Sequence, residues 1–225
     1  MFHDRVDAGK RLAKLMANYA NRKDVLVLGI PRGGVPVAFE VAQALHAPLD
    51  ILLVRKLGTP GQQELAMGAI ATGGVRIIND QLVADLGITK EQVAEAVAAQ
   101  EAELQRREQL YRGVRPGISV AGKTTILVDD GIATGSSMLA AITALRALRP
   151  EKIVVAVPVA PSHSDEQIKK TADEFICLYQ PGLLFSIGQF YDDFSQTEDA
   201  DVRSLLEQAA KASLAERKLE KRGAA

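Results

Sequence analysis

Apolar positions along the chain fall into two alternating patterns. Leu12, Leu15, Met16 and Tyr19 recur at helical spacing. Val25-Leu-Val-Leu-Gly-Ile30 is a continuous apolar run, as expected of a strand covered on both faces. Pro31 to Pro36 interrupts it, and Phe39, Val41, Ala42 and Leu45 then read as a helix. Leu49-Asp-Ile-Leu-Leu-Val54 reads as the next buried strand, ending at Arg55-Lys56. Strand, helix, strand in this order predicts a parallel pair joined by a crossover.

The rhythm breaks in the middle. Glu64 to Ala71, Gly73-Gly74 and Val75 to Ile78 predict a hairpin. Thr89-Lys-Glu-Gln92 resembles a capping box and opens a long polar helix to about Tyr111. Its apolar face is thin (Val93, Ala96, Val97, Leu104), which predicts a surface position. Alternation then resumes with a strand at Ile126–Val128, a helix at Ser136–Leu148 and a strand at Ile153–Val159. A short helix near Asp165–Thr171 and a strand at Phe175–Leu178 follow. Val202, Leu205, Leu206 and Ala209 share one face of a last helix, which runs into a charged end. The expected fold class is α/β, a parallel sheet flanked by helices. It forms a single domain, 1–225, with a helical insertion at about 72–115.

Composition narrows the chemistry. At 225 residues the chain can bury one sizeable core, and 47% apolar with 24% charged residues is ordinary for a globular protein. A net charge of −1 supplies no general attraction to nucleic acid or anionic membrane, so any anion site must be built locally. Lone Cys177 excludes an intrachain disulfide and reads as a core thiol. The start, Met1-Phe-His-Asp-Arg, has no signal-peptide pattern, and no apolar run approaches the roughly 20 residues of a spanning helix. The expected location is the cytoplasm. His3, His46 and His163 do not fall at metal-ligand spacing.

One stretch concentrates the candidate chemistry: Thr125-Ile-Leu-Val-Asp-Asp-Gly-Ile-Ala-Thr-Gly-Ser-Ser137. A buried strand delivers two carboxylates, Asp129 and Asp130, and then a small-residue loop at a helix start. Carboxylates accept hydrogen bonds from sugar hydroxyls, while loop N–H groups and the helix dipole suit a phosphate. A solvated turn would explain one Asp here but fits two in series poorly. Nearby, Gly117-Ile-Ser-Val-Ala-Gly-Lys-Thr124 matches the G-x-x-x-x-G-K-S/T phosphate-loop pattern. Its context is wrong, because such a loop must follow a strand and open a helix, whereas here a strand follows directly.

The 125–137 stretch resembles the signature of type I phosphoribosyltransferases, which bind 5-phosphoribosyl 1-pyrophosphate (PRPP). The resemblance extends over about residues 5 to 200. More narrowly, it looks like an uncharacterised bacterial subgroup carrying Pro-Arg-Gly-Gly, Val-Arg-Lys-Leu-Gly and Phe-Tyr-x-Asp-Phe-Ser-Gln. It implies that Asp129 and Asp130 hold the ribose hydroxyls. Gly131, Ile132, Ala133, Thr134, Gly135, Ser136 and Ser137 would wrap the 5-phosphate. Arg32, Gly33 and Gly34 match the family's pyrophosphate loop, where a strained peptide is common, so Pro31–Arg32 is the bond to inspect. Lys56 would add a basic contact to the pyrophosphate.

The family closes a mobile loop over PRPP, and this chain has a longer helical insertion there instead. Of its Arg106, Arg107, Arg112 and Arg115, Arg112 is the candidate catalytic residue. A hood built from the N-terminal segment and about 180–200 would read the base through Phe190, Tyr191 and Asp192, although the spacing departs from known base-reading segments. The implied reaction is Mg²⁺-dependent transfer of ribose 5-phosphate from PRPP to a nucleobase or other amine, releasing pyrophosphate. A homodimer is implied as possible, with no nucleic-acid or membrane partner. Two other readings stay open: a non-catalytic PRPP-binding regulator, and a phosphotransferase using 117–124.

Overall fold

The chain opens with a helix, α1 (Arg5–Lys14), capped by Asp4, whose carboxylate accepts from the Asp7 N–H. The first apolar run becomes β1 (Val25–Gly29), followed by α2 (Gly34–Leu45) and β2 (Leu49–Ile51). Three antiparallel strands come next: β3 (Val54–Thr59), β4 (Gln62–Ala71) and β5 (Val75–Ile78). Then follow α3 (Asp80–Asp85) and α4 (Lys90–Arg112). The alternating pattern returns as β6 (Thr124–Val128), α5 (Ser136–Ala147), β7 (Lys152–Val159), α6 (Ser164–Thr171), β8 (Glu174–Tyr179) and α7 (Asp199–Gly223). These elements come from a computed structural model that describes residues 1–162 and 164–223. His163 lies outside the described residues.

Five strands form one parallel sheet in the order β2-β1-β6-β7-β8. Its central strands β1 and β6 are buried along their whole length, as their unbroken apolar runs require. Side chains alternate between two cores. Val25, Val27, Ile126, Val128 and Val154 pack with α1, α2 and α7 through Leu12, Val41 and Val202. Leu26, Leu28, Leu127 and Val155 pack with α5 and α6 through Ile142, Leu145 and Ile168. Helices thus cover both faces, as the sequence predicts. Pairing of Gly29 with Val128 brings the carboxyl ends of β1 and β6 side by side. Strand order reverses between these two, and open α/β sheets bind ligands at such a crevice.

Three expectations need correction. The apolar run 49–54 is not one strand: β2 ends at Ile51, and β3 belongs to the antiparallel sheet β3-β4-β5. Buried Leu52 and Leu53 carry the chain across, with the Leu52 N–H donating to Gly29 O and the Leu53 N–H to Thr72 Oγ1. Both sheets demand apolar residues here, so the run hides the switch. Arg55 and Lys56 therefore lie within β3 and do not end a core strand. Cys177 sits half-buried on edge strand β8, packed against the second core with its Sγ 3.2 Å from Tyr179 O, so the thiol borders the core and is not enclosed by it.

The expected capping box is present, with Thr89 Oγ1 accepting from the Gln92 N–H and Gln92 Oε1 from the Thr89 N–H. The helix it opens buries only Val97, Leu104 and Tyr111, so α4 is a surface helix. After Gly117–Lys123 the chain enters β6 at Thr124 directly. No helix opens there, which removes the phosphotransferase reading. Among the described residues, no cluster of three or more His, Cys, Asp or Glu could hold a metal ion, and no helix is long and apolar enough to cross a membrane.

Candidate functional site

At the end of β6 the backbone turns and presents Asp129 and Asp130, both half-buried. The Asp130 N–H donates to Asp129 Oδ1 at 2.9 Å, which fixes the first carboxylate against its own turn. The loop after β1 packs onto this pair. A Cβ on Gly33 would lie 2.0 Å from Asp130 Oδ2, and one on Gly34 would lie 2.8 Å from both Asp129 Cα and Val128 O. Only glycine lets the two loops approach this closely. The peptide bond between Pro31 and Arg32 is cis, at the position the resemblance singles out.

The other half of the rim is a cradle. Ile132 is buried and anchored by its N–H to Val159 O at 2.8 Å. Gly131 is pressed against Val159 and Ile187, where a Cβ would come within 2.6 Å of the Ile187 side chain. Ala133, Thr134, Ser136 and Ser137 line the loop above this anchor, and Thr134 Oγ1 donates to Ser136 Oγ at 3.3 Å. Gly135 takes a left-handed turn (φ 79°) into α5, whose N-terminus has no side-chain cap. Its first-turn N–H groups therefore face the loop and suit an anion.

Electrostatics favour occupancy by hydroxyls and cations. Burial, then the neighbouring Asp130, raise the Asp129 carboxyl above the ordinary range. Burial also raises Asp130, opposed by Arg5. Arg5 in α1 donates from Nε to Asp130 Oδ2 at 2.9 Å, and the Tyr191 hydroxyl donates to Asp130 O at 2.7 Å. Arg32 reaches toward Glu198 (3.6 Å) and Asp199 (3.9 Å) at the start of α7.

The structure brings together Asp129, Asp130, Arg32, Gly33, Gly34 and the 131–137 loop, but it does not bring Arg112 to them. Arg112 donates to Asp50 Oδ1 (2.8 Å), to Ile51 O (2.8 Å) and to Glu108 Oε1 (2.5 Å). Both Arg112 and Asp50 are about nine-tenths buried, so this guanidinium is a strut between α4 and edge strand β2. A cavity of about 400 Å³ lies beside that strut, lined by Asp50, Arg112, Ile118 and Leu148, and includes none of the rim residues. Lys56 is exposed on β3, while neighbouring Arg55 is tied to Gln100 of α4.

The expected base readers also divide. Tyr191 is 5% exposed, packed between Phe2 and Phe194, and cannot offer a ring face. Phe190 is half-buried near Tyr179. Asp192 is exposed and donates its N–H to Phe2 O. The most exposed aromatic among the described residues is Phe185, 81% exposed and two residues before Ile187. Arg5, Phe185 and the acids facing Arg32 escape sequence reasoning. The signal for Arg5 is weak, a lone cation in the first turn of a polar helix, where the dipole favours acids.

Comparisons with known proteins agree with this geometry. Residues 2–180 match the family model described as a phosphoribosyl transferase domain. Proteins of two Mycobacterium tuberculosis strains, each provisionally named a phosphoribosyl transferase, are 46% identical over 209 residues, covering 93% of this chain. The chain spans about half (47%) of the length of these curated relatives. The crystal structure of a Thermus thermophilus protein, TT1426, is 40% identical, superposes with a TM-score of 0.82, and is covered over 97% of its length by 91% of this chain.

Proposed function

The chain belongs to the phosphoribosyl transferase family, and from that premise we propose that its rim binds Mg²⁺-PRPP and transfers ribose 5-phosphate to a nitrogen nucleophile, with a nucleobase as the favoured acceptor and pyrophosphate as the leaving group. One observation carries this reading. The Gly33-Gly34 backbone is packed against Asp129 and Asp130, so two anion-suited loops flank one acid pair. PRPP has the matching order of groups: pyrophosphate, ribose diol, 5-phosphate.

In this reading Asp129 and Asp130 accept hydrogen bonds from the ribose hydroxyls and favour the positive charge that develops at C1 and the ring oxygen. The 131–137 loop and the α5 N-terminus hold the 5-phosphate. Arg32 and the backbone of Gly33 and Gly34 hold the pyrophosphate, which requires Arg32 to exchange Glu198 and Asp199 for phosphate oxygens. The carboxylates of Asp129 and Asp130 are hard oxygen donors beside the diol and suit Mg²⁺, which binds through one or two carboxylates plus substrate oxygens. When bound, the ion would neutralise charge on the leaving group. Fixing the sugar between two loops holds C1 for attack by the acceptor nitrogen. The exposed Phe185 ring, close in sequence to Ile187 on Gly131, offers the acceptor a stacking face that Tyr191 cannot.

The deciding assay is pyrophosphate release from Mg²⁺-PRPP across a panel of purines, pyrimidines and simple amines. Release with one acceptor class supports the transferase. PRPP-dependent thermal stabilisation with no release for any acceptor would replace it by the regulator.

A further inference from the structure

Away from the rim, the cavity of about 400 Å³ opens between edge strand β2, the β4–β5 turn, the end of α4 and the segment before β6. Small-molecule sites span roughly 300–1,000 Å³, so this volume suits a ligand. Its floor is apolar: Leu28 and Leu52 are each 2% exposed, and Val120 is 8% exposed. Gly73, Ser119 and Ala121 are exposed and mark its mouth.

One wall carries three charges, Asp50, Glu108 and Arg112. Asp50 Oδ1 accepts from Arg112 Nε and from the Ile51 N–H, while its Oδ2 accepts from the Ile118 N–H. Arg112 also donates to Glu108 Oε1 and to Ile51 O. A guanidinium has five N–H donors, so three committed bonds leave two for a ligand. A carboxylate oxygen accepts two bonds, so Asp50 Oδ2 and Glu108 keep acceptor capacity. The guanidinium plane is held in place. Gly117 lies over its face, where a Cβ would come within 3.3 Å of Cζ and 3.5 Å of each Nη. The Gly117–Thr124 stretch, which opens no helix, thereby gains a place as one side of this cavity.

These walls select a ligand. Two carboxylates and one guanidinium give the wall a net charge of −1, so a phosphate or carboxylate meets more repulsion than attraction. A compact hydrated cation loses its water over the apolar floor and regains little there. Donors and acceptors side by side above an apolar floor match a flat ring whose edge carries an N–H next to a carbonyl or ring nitrogen.

We propose that this cavity is a second binding site, separate from the rim, for an uncharged nitrogen heterocycle of the nucleobase or nucleoside kind. Its ring rests on Leu28, Leu52 and Val120, and its polar edge meets Arg112 and Glu108. The inference does not rest on the PRPP reading.

Carbon-13 methyl NMR of Leu28, Leu52 and Val120 in the full chain tests it. The probes are adenine, hypoxanthine, cytosine, uracil and their ribonucleosides, with AMP, UMP and spermidine as charged counterparts. Asp129→Asn combined with Asp130→Asn serves as a second background, in which the rim is disabled. An uncharged probe is expected to shift the three methyls with the same affinity in both backgrounds. Glu108→Ala, at a half-buried helix position, should weaken that binding by at least about tenfold through loss of one charged hydrogen bond. Val120→Phe, which fills the floor, should abolish it, and where that variant does not fold Glu108→Ala carries the test. Binding that is lost with the rim acids and indifferent to Glu108→Ala would place the heterocycle at the rim and overturn the inference. Silence of every uncharged probe up to its solubility limit would also overturn it, as would tighter binding of the nucleotides or of spermidine.

Discussion

Two regions of this molecule use charge in opposite ways. In the excursion from β2 to β6, arginines are tied within the region or to elements beside it. Arg55 is bound to Gln100, Arg76 to Glu101, Arg106 and Arg107 to Glu103, and Arg112 to Asp50. At the rim of the parallel sheet, an acid pair stands with one clamped cation, and Arg32 reaches its acids only at 3.6 and 3.9 Å. Of the basic cluster in sequence, Arg106 and Arg107 pair within α4 itself, while Arg112 and Arg115 tie its end to β2 and α7. The sparser charges at the strand ends remain uncommitted enough to meet a ligand. What separates the regions is backbone: strands buried on both faces fix the rim, while α4 buries only Val97, Leu104 and Tyr111.

The sharpest way to break the contrast is to neutralise the rim. Asp129→Asn combined with Asp130→Asn should abolish Mg²⁺-PRPP-dependent thermal stabilisation. Two charged hydrogen bonds at about 1.5–3 kcal/mol each correspond to a loss of roughly a thousandfold in affinity. Stabilisation that survives in this variant would remove the acids from the site. Arg112→Ala should act on stability instead, because it strands the buried Asp50 carboxylate. Chemical unfolding is expected to show a loss of about 3–5 kcal/mol, with PRPP affinity of the folded fraction unchanged. The reverse outcome, full stability with weakened binding, would return Arg112 to the rim.

A smaller effect joins the two loops. Gly34→Ala pushes a methyl into Val128 O and Asp129 Cα. It should cost about 1–3 kcal/mol of stability and also lower PRPP affinity by moving Asp129. Binding that stays native would show that the loops do not need this close approach. The mildest effect lies where the regions meet. The Tyr111 hydroxyl of α4 donates to Asp199 at the start of α7, and burial first, then Asp199, push its pKa up to about 12. The folded state holds the neutral phenol above its ordinary value near 10. Its contribution is therefore complete below about pH 10 and is lost as pH rises from about 10 toward about 12. Tyr111→Phe should flatten that alkaline decline in melting temperature, and an unchanged slope would assign the decline elsewhere.

These regions also differ in how far the sequence reveals them. At the rim, Val25–Ile30 and Ile126–Val128 announce parallel core strands through unbroken apolarity, and the acids and glycines follow at their carboxyl ends. Local pattern and site coincide there because the strand positions both. The run Leu49–Val54 conceals a change of sheet, since parallel and antiparallel pairing ask for the same side chains. Tyr191 reads as a base-stacking aromatic of the hood until Phe2 and Phe194 enclose it, a packing no local window contains. Arg5 is illegible for the same reason, being given its meaning by a residue 125 positions away.

That distance has a consequence for the order in which the protein is made. The Arg5 guanidinium also donates from Nη1 to Ser195 O, 190 residues away, and its carbon lies 4.0 Å from the Phe194 ring centroid. Translation at about 5–20 residues per second separates their emergence from the ribosome by about 10–40 s. During that interval β1, β6 and the phosphate-suited loop can assemble from segments already synthesised, while Phe194 and Ser195 do not yet exist to clamp the guanidinium. A nascent chain therefore has its two acids before it has the fixed charge beside them. Completion of the rim is timed by the arrival of its last contributor, well after the sheet that carries it.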